Sequence, residues 1–265
     1  MREAPFDVIV FGATSFVGQI LSRYLLDTFG LDGRLKWAIA GRSHTKLLEL
    51  QHSLGAAAAQ LPIRVADAED ASSLQTLCSQ ARVIVSTVGP YALYGEPLVK
   101  ACAESGTDYC DLTGEVQWIK RMIDRYEPAA RASGARIVHC CGFDSIPSDL
   151  GVYFLQQQTK ARFGHPAARV KMRVKAARGG FSGGTVASML NVTREAIADP
   201  ALRKELANPY SICPASHGFT ARQPNPMGAE FDTDFASWTA PFVMAGINTR
   251  VVHRSNALFA NAYGT

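Results

Sequence analysis

Residues Phe6–Gly18, FDVIVFGATSFVG, decide the fold of this chain. Five of the six residues Phe6–Phe11 are apolar or β-branched, which suits a strand covered on both faces. Gly12 and Gly18 then stand at the first and last positions of a G-x-x-G-x-x-G pattern whose middle position is Ser15. The pattern predicts a glycine turn opening a helix whose N-terminus faces an anion, the usual seat of a dinucleotide pyrophosphate. By itself it also fits a tight strand-to-helix turn with no ligand. Position favours the first reading. The motif is N-terminal, follows an apolar strand, and opens the helical pattern Phe16, Val17, Ile20, Leu21, Tyr24, Leu25. Gly12 permits the turn and Gly18 lets the helix pack closely, while Ser15 is small and carries a hydroxyl able to donate to a phosphate.

Composition narrows the class. The chain has 265 residues, 47% hydrophobic and 19% charged, enough for one large domain or two modest ones. A net charge of +4 and the lack of a basic run argue against a nucleic-acid partner. The six cysteines show no C-x-x-C pair and no metal-ligand spacing, so no metal is expected. They read as reduced thiols, and the expected location is cytoplasmic, with peripheral membrane contact left open. Adjacent Cys140 and Cys141 read either as a vicinal disulfide or as two small strand-end residues. No apolar run is long enough to span a membrane.

Strand and helix patterns alternate through residues 1–150. Strands are predicted at Leu35–Ala40, Ile63–Ala66, Arg82–Val88, Asp108–Asp111 and Arg136–Cys140. Between them come helices around Thr45–Leu54, Ala71–Ser79, Glu96–Ser105, Val116–Ile123 and Pro128–Ser133. This implies an α/β fold, a Rossmann-type parallel sheet with ligands outside the carboxyl ends of its strands. Residues 151–265 read as part of a second, α+β domain. There Val170–Ala177, VKMRVKAA, alternates apolar and basic residues as a half-exposed strand does, and a helix is predicted around Thr185–Ala198. Asn208–Asp232 reads as loop, and the apolar stretch Trp238–Ile247 as pocket wall or core.

The second strand ends Ala40–Gly41–Arg42–Ser43, without the acid that would bond the ribose of NAD and repel a 2′-phosphate. Arg42 offers a fork of donors suited to phosphate, with Ser43 beside it, so NADP(H) is the expected cofactor. The alternative for Arg42 is a solvated arginine starting a helix. Asp67 reads either as a partner of the adenine amine or as a cap of the next helix.

The segments GATSFVG, AGRS, STVGPY, DYCDLTGE and CGFDSIPSDLG together resemble the saccharopine dehydrogenase-like oxidoreductases. Within that superfamily the chain is most similar to the trans-acting enoyl reductases of bacterial lipid and glycolipid assembly and to their animal saccharopine dehydrogenase-like relatives. The resemblance runs the length of the chain, through Gly183–Gly184–Thr185 and Trp238–Val243. It implies that Gly12, Thr14, Ser15, Phe16 and Val17 cradle the pyrophosphate and that Arg42 meets the 2′-phosphate. It places Thr87, Val88, Gly89 and Pro90 along the cofactor toward the nicotinamide. Similar proteins are longer, so a truncated second domain is expected.

The chemistry is less legible. Tyr91 is followed four residues later by Gly95, not by the lysine of a short-chain reductase triad. Candidate acids at the strand ends are Tyr91, Asp111, Glu115 and Asp144. Asp144 equally reads as a cap at a helix start, Asp111 as bonding a neighbouring turn, and Glu115 as opening a helix. The leading expectation is an NADP-dependent reductase of enoyl or carbonyl groups in lipid or polyketide-like acyl substrates, free or carrier-bound. The alternatives are an imine-forming amino-acid oxidoreductase using arginines such as Arg173, Arg178 or Arg194, and a non-catalytic NADP-binding, lipid-associated protein. The sequence leaves the oligomeric state open.

Overall fold

The structure, a computed structural model, describes residues 3–176, 178 and 183–264. It divides into two compact units, Met1–Cys141 with Phe181–Thr193, and Gly142–Gly180 with Arg194–Thr265.

In the first unit the order is β1 (Phe6–Phe11), α1 (Phe16–Phe29), β2 (Trp37–Gly41), α2 (His44–Leu54), β3 (Ile63–Val65) and α3 (Ala71–Ser79). There follow β4 (Ala81–Ser86), α4 (Tyr91–Tyr94), α5 (Glu96–Ser105), β5 (Asp108–Asp111), α6 (Val116–Ser133) and β6 (Ile137–Val138). All six strands run parallel, in the order β3-β2-β1-β4-β5-β6. This is the Rossmann arrangement, whose order reverses between β1 and β4 and opens a crevice at their carboxyl ends. Ile9, Val10, Ile39 and Ile84 have no exposed surface. Each such side chain contributes about 1.5–3 kcal/mol by burial, which is why these strands read as unbroken apolar runs.

The register sets the working edge. Phe11 pairs with Ala40 and with Ser86, Ser86 with Asp111, and Cys110 with Val138. The residues just beyond these ends, Gly12, Thr87 and His139, therefore lie along the same edge of the sheet.

One prediction here is corrected. Val116–Ser133 is a single helix running through Pro128, not two. A proline inside a helix costs about 3 kcal/mol. Trp118, Ile119 and Met122, each at most 2% exposed, offset that by holding the helix on the core.

The second unit contains α7 (Ile146–Phe163), α9 (Pro200–Ala207), the hairpin β7 (Glu230–Asp232) and β8 (Ser237–Thr239), and α10 (Ala245–Leu258); α8 spans Gly183–Ala198. The strand expected at Val170–Ala177 is not formed over residues 170–176, and Ala177 lies outside the described residues. Two of the three basic side chains of that stretch, Lys171 and Arg173, are held by carboxylates instead. Lys171 Nζ lies 3.0 Å from Asp232 and 2.5 Å from Asp234, and Arg173 lies 2.6 Å from Asp232. The segment read as loop supplies β7, whose Phe231 pairs with Trp238 of β8, ring centroids 6.0 Å apart. Of the Trp238–Ile247 stretch, Ile247 joins the core while Trp238 is 73% exposed. All six cysteines are free thiols, Cys140 and Cys141 included.

Candidate functional site

The glycine turn at the end of β1 is built as its residue types demand. Gly12 has φ +84°, and a Cβ there would lie 2.7 Å from Val88 and 2.8 Å from Thr87 Oγ1. A Cβ on Gly18 would lie 2.3 Å from the Gly12 carbonyl oxygen, so the first turn of α1 presses directly on the loop. Gly12 and Ala13 donate their N–H groups to Ala40 O at 2.9 and 3.1 Å.

Ser15 is the N-cap of α1. Its Oγ accepts from Gly18 N at 3.0 Å and donates to Thr87 Oγ1 at 3.0 Å, and Thr87 in turn donates to Gly12 O at 2.8 Å. The hydroxyl that sequence reading offered to a phosphate is thus engaged inside the loop. Thr87 N also donates to Phe11 O at 2.9 Å, which ties the end of β4 to the turn. Outward, the backbone N–H groups of Thr14, Phe16 and Val17 have no acceptor among the described residues. Three such donors at the head of a 14-residue helix form a site for an anion. The room that only glycine leaves at positions 12 and 18 fits a dinucleotide pyrophosphate.

Beyond β2, Arg42 is exposed, and its guanidinium has no hydrogen-bond or ion-pair partner among the described residues. Ser43 caps α2, its Oγ accepting from Lys46 N at 3.4 Å. The segment Ala40–Gly41–Arg42–Ser43 that ends β2 carries no acid, so its residues fit a 2′-phosphate. Asp67, beyond β3, accepts from Glu69 N at 3.1 Å; the cap of α3 is Asp70, whose carboxylate accepts from Ser72 N at 2.9 Å. The cap reading of Asp67 is therefore corrected by three residues. Val88, Gly89 and Pro90 form the loop between β4 and α4, with Pro90 at the N-cap position.

Tyr91 and Glu115 come together beneath that loop. The Glu115 carboxylate, 3% exposed, accepts from Tyr91 N at 2.8 Å, Ala92 N at 3.0 Å and Ser188 Oγ at 2.8 Å. It therefore takes up the free N–H groups at the head of α4. The Tyr91 hydroxyl donates to Ser86 O at 3.0 Å and accepts from Leu112 N at 3.4 Å. Burial, then the nearby Asp111 charge, push that hydroxyl well above the usual tyrosine range. A Cβ on Gly95 would lie 2.6 Å from the Trp118 ring, so the position four beyond Tyr91 has no room for a lysine. Asp144 belongs to the second unit, where its carbonyl accepts from Asn248 Nδ2 at 2.7 Å; the N-cap position of α7 is Ser145. The cap reading of Asp144 is thus corrected by one residue.

Sequence reading missed His139. Its Nδ1 lies 2.6 Å from Asp111 Oδ2, which also accepts from Tyr109 Oη at 2.9 Å. Asp111 Oδ1 accepts from Thr113 N and Cys140 N, each at 3.0 Å. The available signal was an Asp and a His ending adjacent strands, but it appears only once β5 and β6 are paired.

Residues 8–138 match the family described as the saccharopine dehydrogenase NADP binding domain. A Mycobacterium tuberculosis protein assigned by name to the trans-acting enoyl reductases is 45% identical over 98% of this chain and 62% of its own length. The trans-acting enoyl reductase of Mycobacterium bovis is 39% identical over 99% of this chain and 64% of its own. The chain thus spans somewhat less than two thirds of the length of these relatives. The apo saccharopine dehydrogenase (L-Glu forming) of Saccharomyces cerevisiae aligns with 18% identity and a TM-score of 0.41, over 60% of this chain and 32% of that one.

Proposed function

We propose that this chain, which belongs to the saccharopine dehydrogenase-like family through its NADP-binding residues 8–138, serves an NADPH-dependent reduction of enoyl groups in lipid or polyketide-like acyl substrates. The observation that carries the cofactor side is Arg42, exposed and without a partner among the described residues, in a β2 end segment that contains no acid. The relatives' shared name, trans-acting enoyl reductase, supports the substrate side. A trans-acting enzyme meets an acyl chain held elsewhere, so the substrate is read as carrier-bound. Among the described residues no helix is long and apolar enough to cross a membrane.

The bound cofactor would supply a hydride to an electron-poor double bond. The protein's part is binding and orientation. The N–H groups of Thr14, Phe16 and Val17 hold the pyrophosphate, with Gly12 and Gly18 leaving room for it. Arg42 and Ser43 hold the 2′-phosphate, and Asp67 borders the adenine. Thr87, Val88, Gly89 and Pro90 lead the other half of the cofactor along β4. Of the arginines considered for gripping a substrate carboxylate, Arg173 is occupied by Asp232.

NADPH oxidation followed with enoyl thioesters, and separately with lysine plus 2-oxoglutarate and with glutamate plus an amino-acid semialdehyde, tests the reading. Turnover is expected with the first panel only; turnover confined to the amino-acid panels would refute it. Arg42→Ala should weaken NADPH about tenfold or more and leave NADH unchanged, the loss of one charge-assisted phosphate contact. Equal binding of both nucleotides by the unmodified protein would remove the basis for NADP.

A further inference from the structure

We propose that His139, held by Asp111, is the proton donor of the reduction. The inference rests on the functional reading above but names a residue that the sequence motifs do not single out.

Asp111 is 1% exposed and receives hydrogen bonds from Thr113 N, Cys140 N and Tyr109 Oη. Burial and the Asp111 charge hold the Tyr109 hydroxyl well above its usual range, so it stays protonated and donates. Three donors already point at this carboxylate, so the fourth contact, 2.6 Å from His139, has Nδ1–H donating to Oδ2. That leaves Nε2 as the working nitrogen, the division of labour seen when a carboxylate fixes a histidine tautomer. The ring is clamped edge-on by Trp118 at 5.0 Å and Tyr109 at 5.8 Å between centroids. Of its side chain 9% remains accessible, and the ring's one hydrogen bond among the described residues is made by Nδ1, not Nε2.

Position supplies the second argument. In the proposed binding mode Arg42 holds the adenosine end beyond β2, and the strand order then carries the reactive end across the switch point toward β4 and β5. His139 follows β6 on that side, two strand spacings from Thr87, roughly 10 Å along the edge. None of the acids named from sequence competes for the role in the first unit. The Tyr91 and Glu115 side chains are both tied to backbone N–H and C=O groups.

His139 would give its Nε2 proton to the α-carbon of the enoyl thioester as the π pair moves there, with NADPH, when bound, supplying the hydride at the β-carbon. Neutral His139 keeps its Nδ1 proton on Asp111 and recovers the other from water.

Diethyl pyrocarbonate, which acylates free imidazole nitrogens, is applied to the whole chain with and without NADP⁺, and the modified histidines are located by peptide mass spectrometry. His139 should be modified, and NADP⁺ should slow this while leaving exposed His165 unaffected. An unreactive or unprotected His139 would overturn the proposal. In parallel, His139→Gln should bind NADPH as the unmodified protein does yet lose about 10²-fold or more in kcat with an enoyl thioester. Unchanged kcat would also overturn the proposal. If the unmodified chain reduces no enoyl thioester while NADP⁺ still protects His139, the enoyl reading fails and the histidine's place beside the cofactor stands.

Discussion

At Ser15 a single side chain does what the missing central glycine leaves undone. It caps α1 and, through Thr87, locks the end of β4 to the Gly12 carbonyl. Ser15→Ala removes both bonds and should lower stability by about 1 kcal/mol, read as a fall in the urea midpoint. Gly18→Ala should do more, because its Cβ would sit 2.3 Å from a backbone oxygen that has no freedom to move. Overpacking of that kind costs about 1–3 kcal/mol, and NADPH binding should weaken with it. A Gly18→Ala protein with native midpoint and affinity would contradict the close approach. The residues of this turn were legible because backbone geometry dictates their types at fixed spacing. His139 was not, since its meaning depends on Asp111, a residue remote in sequence that only the β5–β6 pairing brings near.

Among the elements, α4 is four residues long and owes its existence to a carboxylate supplied from elsewhere. Both oxygens of Glu115 accept N–H groups from its first turn. In Glu115→Gln one of those donors would face an amide NH₂, a mismatch worth about 1–3 kcal/mol, measurable by denaturant unfolding at neutral pH. A variant of native stability would show that α4 stands without the carboxylate. The first-unit strands could be read from the sequence because burial on both faces leaves an apolar run. The helices of the second unit hide from the same reasoning. In α10 the buried residues are Ile247, Asn248, Arg250 and Asn256, three of the four polar, and in α7 they are Ser148 and Gln156. Such buried stripes carry no hydrophobic period to detect. The converse error, a strand predicted at 170–177, arose because alternation shows which side chains are charged but not what binds them. Lys171 and Arg173 reach the Asp232 carboxylate of β7 with their side chains and make no backbone ladder with it among the described residues.

For the whole molecule, acid should act through the second unit. His253 packs against Tyr210 and Phe219 with its Nε2 buried and unbonded. Burial, then the Arg250 charge, lower its pKa from 6.5 to about 4. The unfolded chain therefore takes up this proton at higher pH than the folded one does. Its contribution to stability is full above pH 6.5 and is lost as pH falls toward 4, by up to about 1.4 kcal/mol per unit. Melting curves at pH 7 and pH 5 should show that decline, and His253→Gln should flatten it; identical slopes would dismiss the histidine as its source. The two units also interleave along the chain. Phe181–Thr193 belongs with Met1–Cys141, and from it Ser188 reaches Glu115. A ribosome making this protein must therefore release the whole of Gly142–Gly180, which belongs to the other unit, before the nucleotide-binding unit receives its last piece. Until that last piece emerges, Glu115 lacks the Ser188 hydroxyl that is its third partner in the folded unit.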